Sequence, residues 1–482
     1  MSANSKSKIL VYANGYDQNV TGSNNFLTAI WPDGYKLHFL VDCGQYFGKE
    51  TTLNRTFPYK ASTIDLAFLT HVHIDHCGRY PKLIHEGFTG PIYATKGSAL
   101  LYPNAISNSA SIIIANCKRL KEDPGFDEND VEASIENVNN HQKEYDIEYE
   151  YKGRLYYRFI HNQHLFGASS ILIRLTDPDP EVEDVNLFFL GDFNDRNLFV
   201  EDFKIPTEVT DMDISCFLTE STYGDSESKD IQYKFYDYLQ KGIQNYNTTI
   251  FFAFSLGRSQ DILFLLKKAQ ESGALPYDVD IFLDGPLSIS DTLLIARNPD
   301  VLDIRESSRD FLPEGLGFID KGSRDFFLNS NKKKKIIVTS SGMGTFGPAK
   351  EYISKLIDVP KVLMVFGGYC TDDSIGRYLM DFQLGDEVRV FGKLKTKRAT
   401  FGYLEELSGH ARADKLVSHI ANFNVRSILI NHGEFEKQKS LKERIDEELH
   451  PSKGSYILTR NYTYRITCFG IDKYFYSTPN EQ

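Results

Sequence analysis

Four side chains able to bind a metal ion are concentrated in the segment HVHIDHCG, residues 71 to 78. His71 and His73 are separated by one residue, so in an extended segment both imidazoles point to the same side. Asp75 and His76 follow directly and can reach a second position close by. Packing gives no reason to crowd these polar groups together. Imidazole and carboxylate suit zinc best, with manganese and iron as weaker fits, so the segment predicts ligands for two adjacent metal sites.

Two ions need more ligands than these four residues supply. The segment NQHLFGASS offers His164, FLGDFND offers Asp192 and INHGE offers His432. His161 competes with His164, but Gly167 allows a close approach of the backbone beside His164. The predicted metal ligands are therefore His71, His73, Asp75, His76, His164, Asp192 and His432.

Short apolar runs of strand length precede many of the residues with reactive side chains. KLHFLVD, STIDLAFLTH, VNLFFLGD, DISCFLTE and RSILINH are nearly continuous rather than alternating, which is typical of strands buried on both faces. Stretches such as ILFLLKKAQESG, from Ile262, lie between them and indicate helices. The pattern predicts an α/β protein with helices outside the sheets. The residues expected to converge at the strand ends are Asp42, His71, Asp192, Glu220 and His432.

Chain length and net charge restrict the classes of protein to which this sequence can belong. A chain of 482 residues is expected to form more than one domain. Its net charge of −12 argues against a globally basic surface that coats nucleic acid. A polyanionic substrate would need a local basic patch, and the lysine-rich segments 332–335 and 393–398 are candidates. Such runs are more often solvated loops.

Cysteine usage and hydropathy indicate the compartment. The six cysteines contain no CxxC pair, and no apolar run reaches the length of a signal peptide or a membrane span. We therefore expect reduced thiols and a cytoplasmic protein without a membrane partner. The sequence leaves open whether the protein forms a homodimer.

A series of motifs resembles, in order, those of the metallo-β-lactamase-fold β-CASP nuclease family. The relevant groups of that family are the pre-mRNA 3′-end processing endonucleases and ribonuclease J. The motifs are VTGS at 20–23, DCG at 42–44, HVHIDH, HLFGAS, GDF, ESTYG at 220–224, LGRSQ at 256–260, SSGM at 340–343, SGHA at 408–411 and HGE at 432–434. One segment, GYCTDDSIGRYLM, departs from the family because Asp373 and Ser374 stand where the family has Gly-Thr.

The resemblance implies a fold and a division of the ligands. The fold would be a metallo-β-lactamase αββα sandwich, formed by residues 1–224 and 399–482, with an inserted α/β β-CASP domain at 225–398. Asp192 would bridge two zinc ions, and Asp42 would orient a ligand imidazole. The ligands of one ion would be His71, His73 and His164, and those of the other Asp75, His76 and His432.

The resemblance also implies hydrolysis of a phosphodiester. Two divalent ions about 3.5–4 Å apart can generate a hydroxide nucleophile and stabilise the attacking and leaving oxygens. Asp75 could also steer the nucleophile. His410 is the natural proton donor to the leaving oxygen, and Glu220 is the partner expected to keep it charged.

The expected substrate is single-stranded RNA. Within the family, a histidine at the position of His432 is typical of RNA nucleases, whereas DNA-repair members tend to have an aliphatic residue there. Two alternatives remain: a DNA nuclease or other hydrolase of the same fold, and a non-catalytic RNA-binding subunit. Endonucleolytic and 5′-exonucleolytic cleavage both stay open. The candidate contacts to RNA phosphates are Ser340, Ser341, Gly342, Arg258 and Arg377.

Overall fold

The computed structural model describes residues 8–15, 20–329, 334–368, 370 and 374–476. Lys332, Lys333 and Asp373, which were singled out above, lie outside these ranges. The chain divides into two compact units. The first comprises Met1–Asn197, Asp202–Ser228 and His410–Gln482, and the second comprises Leu198–Glu201 and Lys229–Gly409.

The first unit is formed by an opening part of the chain, which Leu198–Glu201 of the second unit interrupts, and a returning part from His410 onward. The strands of its opening part are β1 (Leu10–Asn14), β2 (Asn25–Ile30), β3 (Lys36–Val41), β4 (Leu66–Phe68), β5 (Ile92–Thr95), β6 (Gln142–Lys143), β7 (Tyr149–Tyr151), β8 (Leu155–His161), β9 (Ser169–Leu175), β10 (Val185–Phe189), β11 (Asp213–Ile214) and β12 (Cys216–Thr219). Its helices are α1 (Ile74–Cys77), α2 (Tyr80–His85), α3 (Lys96–Leu120), α4 (Glu128–Asn140) and α5 (Thr207–Thr210). Short 3-10 helices lie at Gly48–Arg55 and Ala61–Thr63.

The second unit alternates strands and helices, which is typical of a parallel sheet. Its strands are β13 (Thr248–Phe252), β14 (Asp280–Asp284), β15 (Gly317–Ile319), β16 (Lys335–Thr339), β17 (Val362–Phe366), β18 (Glu387–Val390), β19 (Lys393–Thr396) and β20 (Thr400–Tyr403). Its helices are α6 (Phe235–Asn245), α7 (Arg258–Glu271), α8 (Pro286–Arg297), α9 (Arg324–Asn329), α10 (Gly347–Leu356) and α11 (Ile375–Met380). The chain then returns to the first unit with β21 (Asn424–Val425), β22 (Ile428–Ile430), β23 (Ser455–Ile457), β24 (Tyr462–Thr467), β25 (Gly470–Tyr476), α12 (Ala413–Ile420) and α13 (Phe435–Glu448).

Two sheets form the centre of the first unit. Their strand orders are β25-β24-β1-β2-β3-β4-β5-β6 and β23-β22-β12-β10-β9-β8-β7. A shared apolar core includes Phe39 and Phe68 of the first sheet and Phe159 and Leu187 of the second. Burying a side chain of this size contributes about 1.5–3 kcal/mol, so the two sheets stabilise each other. Trp31, also buried, donates a hydrogen bond of 2.7 Å to the carbonyl of Thr176.

Helices cover the outer sides of this sandwich. Leu416 and Ile420 of α12 and Leu441 and Ile445 of α13 belong to a second apolar core with Phe217 of β12. Helices α3 and α4 contact β5 of the other sheet. The observed layers are therefore those of an αββα sandwich, as the sequence predicts.

The second unit has a six-stranded sheet, in the order β15-β14-β16-β13-β17-β20, in which each adjacent pair is parallel. Ile250 and Phe252 of β13 pack in one apolar core with Tyr352 and Ile353 of α10. Phe251 faces the other way and stacks on Phe235 of α6, with 5.6 Å between ring centres. The unit extends beyond residue 398, the predicted end of the insertion, because β20 pairs with β17.

None of the helices among the described residues is long and apolar enough to cross a membrane.

Candidate dinuclear metal centre

Strand pairing brings the predicted site residues to the ends of adjacent strands. In one sheet β3 and β4 are parallel, and Asp42 and His71 follow their carboxyl ends. In the other sheet β10, β12 and β22 are parallel, and they are followed by Asp192, Glu220 and His432. Carboxyl ends of parallel strands lie at one edge of a sheet, which explains why residues far apart in sequence meet here.

The first group of possible ligands surrounds one oxygen of Asp192. One ligand atom from each of His71, His73, His164 and Asp192 lies within 4.8 Å of the others. His73 Nδ1 is 3.1 Å from both His71 Nε2 and His164 Nε2. Asp192 Oδ2 is 3.5 Å from His71 Nε2 and 3.7 Å from His164 Nε2. This arrangement has the nitrogen and oxygen donors that a divalent transition metal requires.

The second group consists of Asp75, His76 and His432, whose ligand atoms also lie within 4.8 Å of one another. His76 Nε2 is 3.2 Å from Asp192 Oδ2, and His432 Nε2 is 3.2 Å from Asp192 Oδ1. The carboxylate of Asp192 therefore faces both groups. Its Oδ2 lies near histidines of the first group and near His76, and its Oδ1 lies near His432.

Asp42 and Thr70 contact the Nδ1 atoms of His76 and His71, the ring nitrogens opposite those that lie near Asp192. Asp42 Oδ2 lies 2.7 Å from His76 Nδ1, which directs Nε2 of that ring toward Asp192. Asp42 also accepts hydrogen bonds from the backbone N–H and the hydroxyl of Thr70, each at 2.9 Å. Thr70 Oγ1 is 3.1 Å from His71 Nδ1. Sequence analysis did not select Thr70, although a polar residue at the end of the buried strand segment was a signal for it.

His164 and His161 occupy different environments. His164 lies on the loop between β8 and β9, where its backbone N–H donates to Asn162 Oδ1 at 3.2 Å. In the same loop Gly167 has a positive φ of 74°, and an added Cβ would lie 2.4 Å from the backbone nitrogen of Ser98. His161 instead stacks against Tyr145 and Phe203, with 3.4 and 3.3 Å between ring centres. The structure thus brings His164, rather than His161, to the metal-binding group.

Several buried polar atoms in this cluster lack hydrogen bonds, as expected for atoms that coordinate an ion. Among the described residues, His76 Nε2, both ring nitrogens of His432 and Asp192 Oδ1 have no partner in good hydrogen-bond geometry, although the two Nε2 atoms lie 3.2 Å from oxygens of Asp192. Leaving such atoms unsatisfied costs about 1–3 kcal/mol each. Metal binding would offset that cost. The residues present therefore fit a metal cofactor.

Burial also favours the neutral, metal-binding form of two histidines. It holds the pKa of His71 well below its ordinary value and lowers the pKa of His432. Burial opposes the charged form of His76 as well. The carboxylates of Asp192 and Asp42, facing its two nitrogens, nevertheless raise the pKa of that residue well above the ordinary value.

The partly buried His410 and the buried Glu220 form a pair beside the two groups. His410 Nδ1 is 2.8 Å from Glu220 Oε2, and His410 Nε2 is 3.9 Å from Asp192 Oδ2. The other oxygen of Glu220 accepts a hydrogen bond of 2.6 Å from the backbone N–H of Phe193. Burial disfavours the charged imidazole, but Glu220 and Asp192 outweigh it and raise the pKa of His410 to about 9. Arg412, two residues on, stacks over Tyr223 at 3.8 Å, a contact that the sequence did not indicate.

The residues predicted to bind phosphate all belong to the second unit. Ser340, Ser341 and Gly342 follow the carboxyl end of β16. Arg258, at the start of α7, forms an ion pair of 2.6 Å with Asp261 and donates to the carbonyl of Leu407 at 2.6 Å. The side chain of Arg377, on α11, is 49% exposed. Their role in binding RNA stays a prediction.

The layered α/β sandwich and its histidine–carboxylate cluster define a metal-dependent hydrolase of the metallo-β-lactamase fold. Two family models match the chain: the Beta-Casp domain at residues 259–379 and the Zn-dependent metallo-hydrolase RNA specificity domain at residues 396–456. Together with the relatives described next, these matches agree with the metallo-β-lactamase-fold β-CASP nuclease family that the motifs resemble.

Relatives and a solved structure match most of the chain. A ribonuclease of Thermus thermophilus is 28% identical over 89% of this chain and 94% of its own length. Cleavage and polyadenylation specificity factor 73 of Drosophila melanogaster is 23% identical over 90% of this chain, but only 62% of that protein is covered. A crystal structure of a protein of unknown function from Enterococcus faecalis V583 has a TM-score of 0.55 and 15% identity, and covers 95% of this chain and 100% of its own. That likeness supports the fold alone.

Proposed function

We propose that this protein is a zinc-dependent ribonuclease that hydrolyses phosphodiester bonds of single-stranded RNA with two zinc ions. The proposal rests on one observation above all: the carboxylate of Asp192 lies within 4 Å of histidines of both groups, beside the His410–Glu220 pair. The names of the Thermus thermophilus ribonuclease and of the matched RNA specificity domain support RNA as the substrate.

Each ligand group would hold one ion. His71, His73 and His164 would bind the first, and Asp75, His76 and His432 the second. Asp192 would bridge them, because its Oδ2 lies near His71 and His164 of the first group and its Oδ1 lies near His432 of the second. Bound zinc would supply a hydroxide nucleophile at neutral pH and neutralise charge that develops on the phosphoryl oxygens. Manganese is the alternative metal on ligand type.

The protein's own residues would orient water and move protons. The carboxylate of Asp75 would accept a hydrogen bond from the attacking water and so orient it. Glu220 holds the Nδ1 side of His410, which leaves Nε2 directed toward Asp192 and available to protonate the leaving oxygen. Asp42 and Thr70 keep the His76 ring in the required orientation.

Contacts to the remaining phosphates would come from the second unit. Ser340, Ser341 and Gly342 are small residues at a strand end, where backbone N–H groups can bind an anion. Arg377 is exposed enough to reach a phosphate, while Arg258 would act from its ion pair with Asp261. Hydrolysis of DNA by the same centre and RNA binding without cleavage are the two competing functions.

The cysteines are consistent with a reducing compartment. All six are free, and Cys43, Cys77, Cys216 and Cys370 are buried. We place the protein in the cytoplasm on this basis. The proposal also includes a homodimer. It covers both internal and 5′-terminal cleavage, and direct measurement distinguishes these two modes.

The test compares RNA and DNA of equal sequence. Both are labelled at the 5′ end and incubated with the parent protein and with a double variant, Asp75→Ala with His76→Ala. The parent is expected to cleave RNA and to leave DNA largely intact. The double variant is expected to cleave neither. Intact RNA with the parent, or equal degradation by the variant, contradicts the proposal. The lengths of the labelled products distinguish internal cuts from stepwise removal of 5′ nucleotides.

A further inference from the structure

A large cavity lies within the second unit. Its volume is about 1090 Å³, and the described residues that line it include four lysines: Lys355, Lys361, Lys393 and Lys395. Among these described lining residues, Asp325 is the one carboxylate. In a chain with a net charge of −12, a cavity with this balance of charge is locally basic.

Two of these lysines have no carboxylate partner in the part of the chain that the structure describes. Lys355 pairs with Asp325 and lies 3.9 Å from Glu351, and Lys395 pairs with Asp358 at 3.0 Å. Within the described ranges, no ion pair involves Lys361 or Lys393, and both side chains are exposed. Their charges are therefore available to an anion that enters the cavity.

An aromatic ring completes one wall. Phe391 lines the cavity and lies in the two-residue turn between β18 and β19, where Val390 pairs with Lys393. Its φ of 47° is positive, and Gly392 follows with a φ of 84°. Two-residue hairpin turns in which both residues have a positive φ favour Asn-Gly. A bulky residue such as Phe is uncommon in this left-handed region. The turn places the half-buried Phe391 close to Lys393, and Lys350 Nζ lies over the Phe391 ring, 5.0 Å from its centre. A further positive charge therefore lies beside the cavity.

The cavity is at the opposite edge of the sheet from the predicted phosphate-binding loop of the same unit. Thr248 and Val362, the first residues of β13 and β17, line the cavity. Ser340 follows the last residue of β16, which pairs in parallel with β13. A five-residue strand spans about 15 Å, so the two edges cannot bind the same phosphate.

We propose that this cavity, which we call the lysine cavity, binds a run of phosphate groups, with Lys361 and Lys393 as its main charged contacts. The favoured source of these phosphates is a single-stranded RNA, an assignment that rests on the proposed function. The volume exceeds what one phosphate needs and suits several linked groups. A free polyphosphate offers the same chemistry and is the other source.

The test uses a double variant, Lys361→Gln with Lys393→Gln. Its matched control is Lys241→Gln with Lys321→Gln, which removes two exposed lysines of the same unit that do not line the cavity. Binding of a fluorescent ten-nucleotide RNA is measured by anisotropy with a chelator present to prevent cleavage. Inorganic tripolyphosphate is tested separately by its effect on the Tm of each protein.

The expected result is that the cavity variant binds RNA about tenfold more weakly than the control at moderate salt, with a shallower dependence on salt. Tripolyphosphate should raise the Tm of the parent and the control but not of the cavity variant. If tripolyphosphate binds through the cavity while the cavity variant binds RNA as tightly as the control does, the phosphate site stands and RNA as its source fails. The proposed function, which is tested by cleavage at the metal centre, is then unaffected. If both variants match the parent with both probes, the lysine cavity is not a phosphate site.

Discussion

The Nδ1 nitrogen of His410 lies 2.8 Å from Oε2 of Glu220, although the two residues are 190 positions apart in sequence. Both belong to the first unit, and the second unit is inserted between them. The contact forms because the chain returns to the first unit after the insertion. His410 and Glu220 can therefore act together only when the opening and the returning parts of the first unit have folded together.

The first prediction concerns this pair. His410→Ala should reduce RNA cleavage by about 10²–10⁴-fold, because it removes the proton donor. The zinc content should stay that of the parent, since His410 is not among the proposed ligands. Loss of zinc along with activity would mean that His410 is a ligand instead.

Glu220 acts through His410, so its substitution should shift a pH profile as well as a rate. In Glu220→Gln the amide can still accept from Phe193 N–H, but the negative charge that raises the pKa of His410 is gone. The protonated imidazole is then lost at lower pH, and the alkaline limb of cleavage should move down by about one pH unit or more. A uniform loss of rate with an unmoved alkaline limb would indicate a purely structural role.

A second prediction addresses Thr70, whose hydroxyl bonds to Asp42. Thr70→Val keeps the shape of the side chain but removes that hydrogen bond, so the rings of His76 and His71 lose part of their support. Zinc affinity should fall about 10–100-fold, as it does when outer partners of metal ligands are removed. Competition with a chelator of known affinity measures this. Thr63→Val, at an exposed position away from the cluster, is the control and should bind zinc like the parent.

Some features could be read from the sequence and others could not. The HVHIDHCG segment and the polar residues after apolar runs predicted the strand ends at which the metal-binding groups lie. Thr70 was missed because its importance depends on β3 lying beside β4, which no local pattern states. Likewise, the lysine cavity is assembled from a helix, a strand start and a hairpin. In each case the missing information is a contact between distant segments.

A third prediction concerns the stability of the second unit. Asp284, fully buried, accepts two hydrogen bonds from Arg324, at 2.7 and 2.9 Å, and one of 2.7 Å from the hydroxyl of Tyr352. Arg324→Ala would leave a buried carboxylate without its counter-charge and should lower the free energy of unfolding by about 3–5 kcal/mol. Tyr352→Phe removes one hydrogen bond to a charged group and should cost about 1.5–3 kcal/mol.

Thermal and denaturant unfolding of the two variants checks this order. Lys268→Ala, which breaks an exposed ion pair with Glu271, serves as the control and should change stability by less than about 1 kcal/mol. Equal stability of Arg324→Ala and the control would show that the buried network is not needed.

A fourth prediction links stability to pH through His419. This ring packs against Phe193 and Phe423, and burial lowers its pKa to about 4. The folded protein keeps His419 neutral, whereas the unfolded chain takes up a proton near pH 6.5, so stability is lost as pH falls from about 6.5 toward 4. Between pH 6.5 and 5 the loss from this residue should be about 1–2 kcal/mol.

The variant His419→Phe keeps the aromatic contacts and cannot bind the proton. Its Tm should therefore fall less than that of the parent when the pH is lowered from 7 to 5. Parallel changes of Tm in the two proteins over this range would argue against a buried neutral His419.

The central claim, a metal-dependent ribonuclease centred on Asp192, is tested most directly by removing and restoring the metal. The purified protein is stripped with a chelator, dialysed and titrated with zinc while cleavage of labelled RNA is followed. Cleavage should disappear on stripping and return in full at two zinc ions per chain. Cleavage that persists after complete removal of metal, or that does not return with zinc or manganese, would contradict the claim.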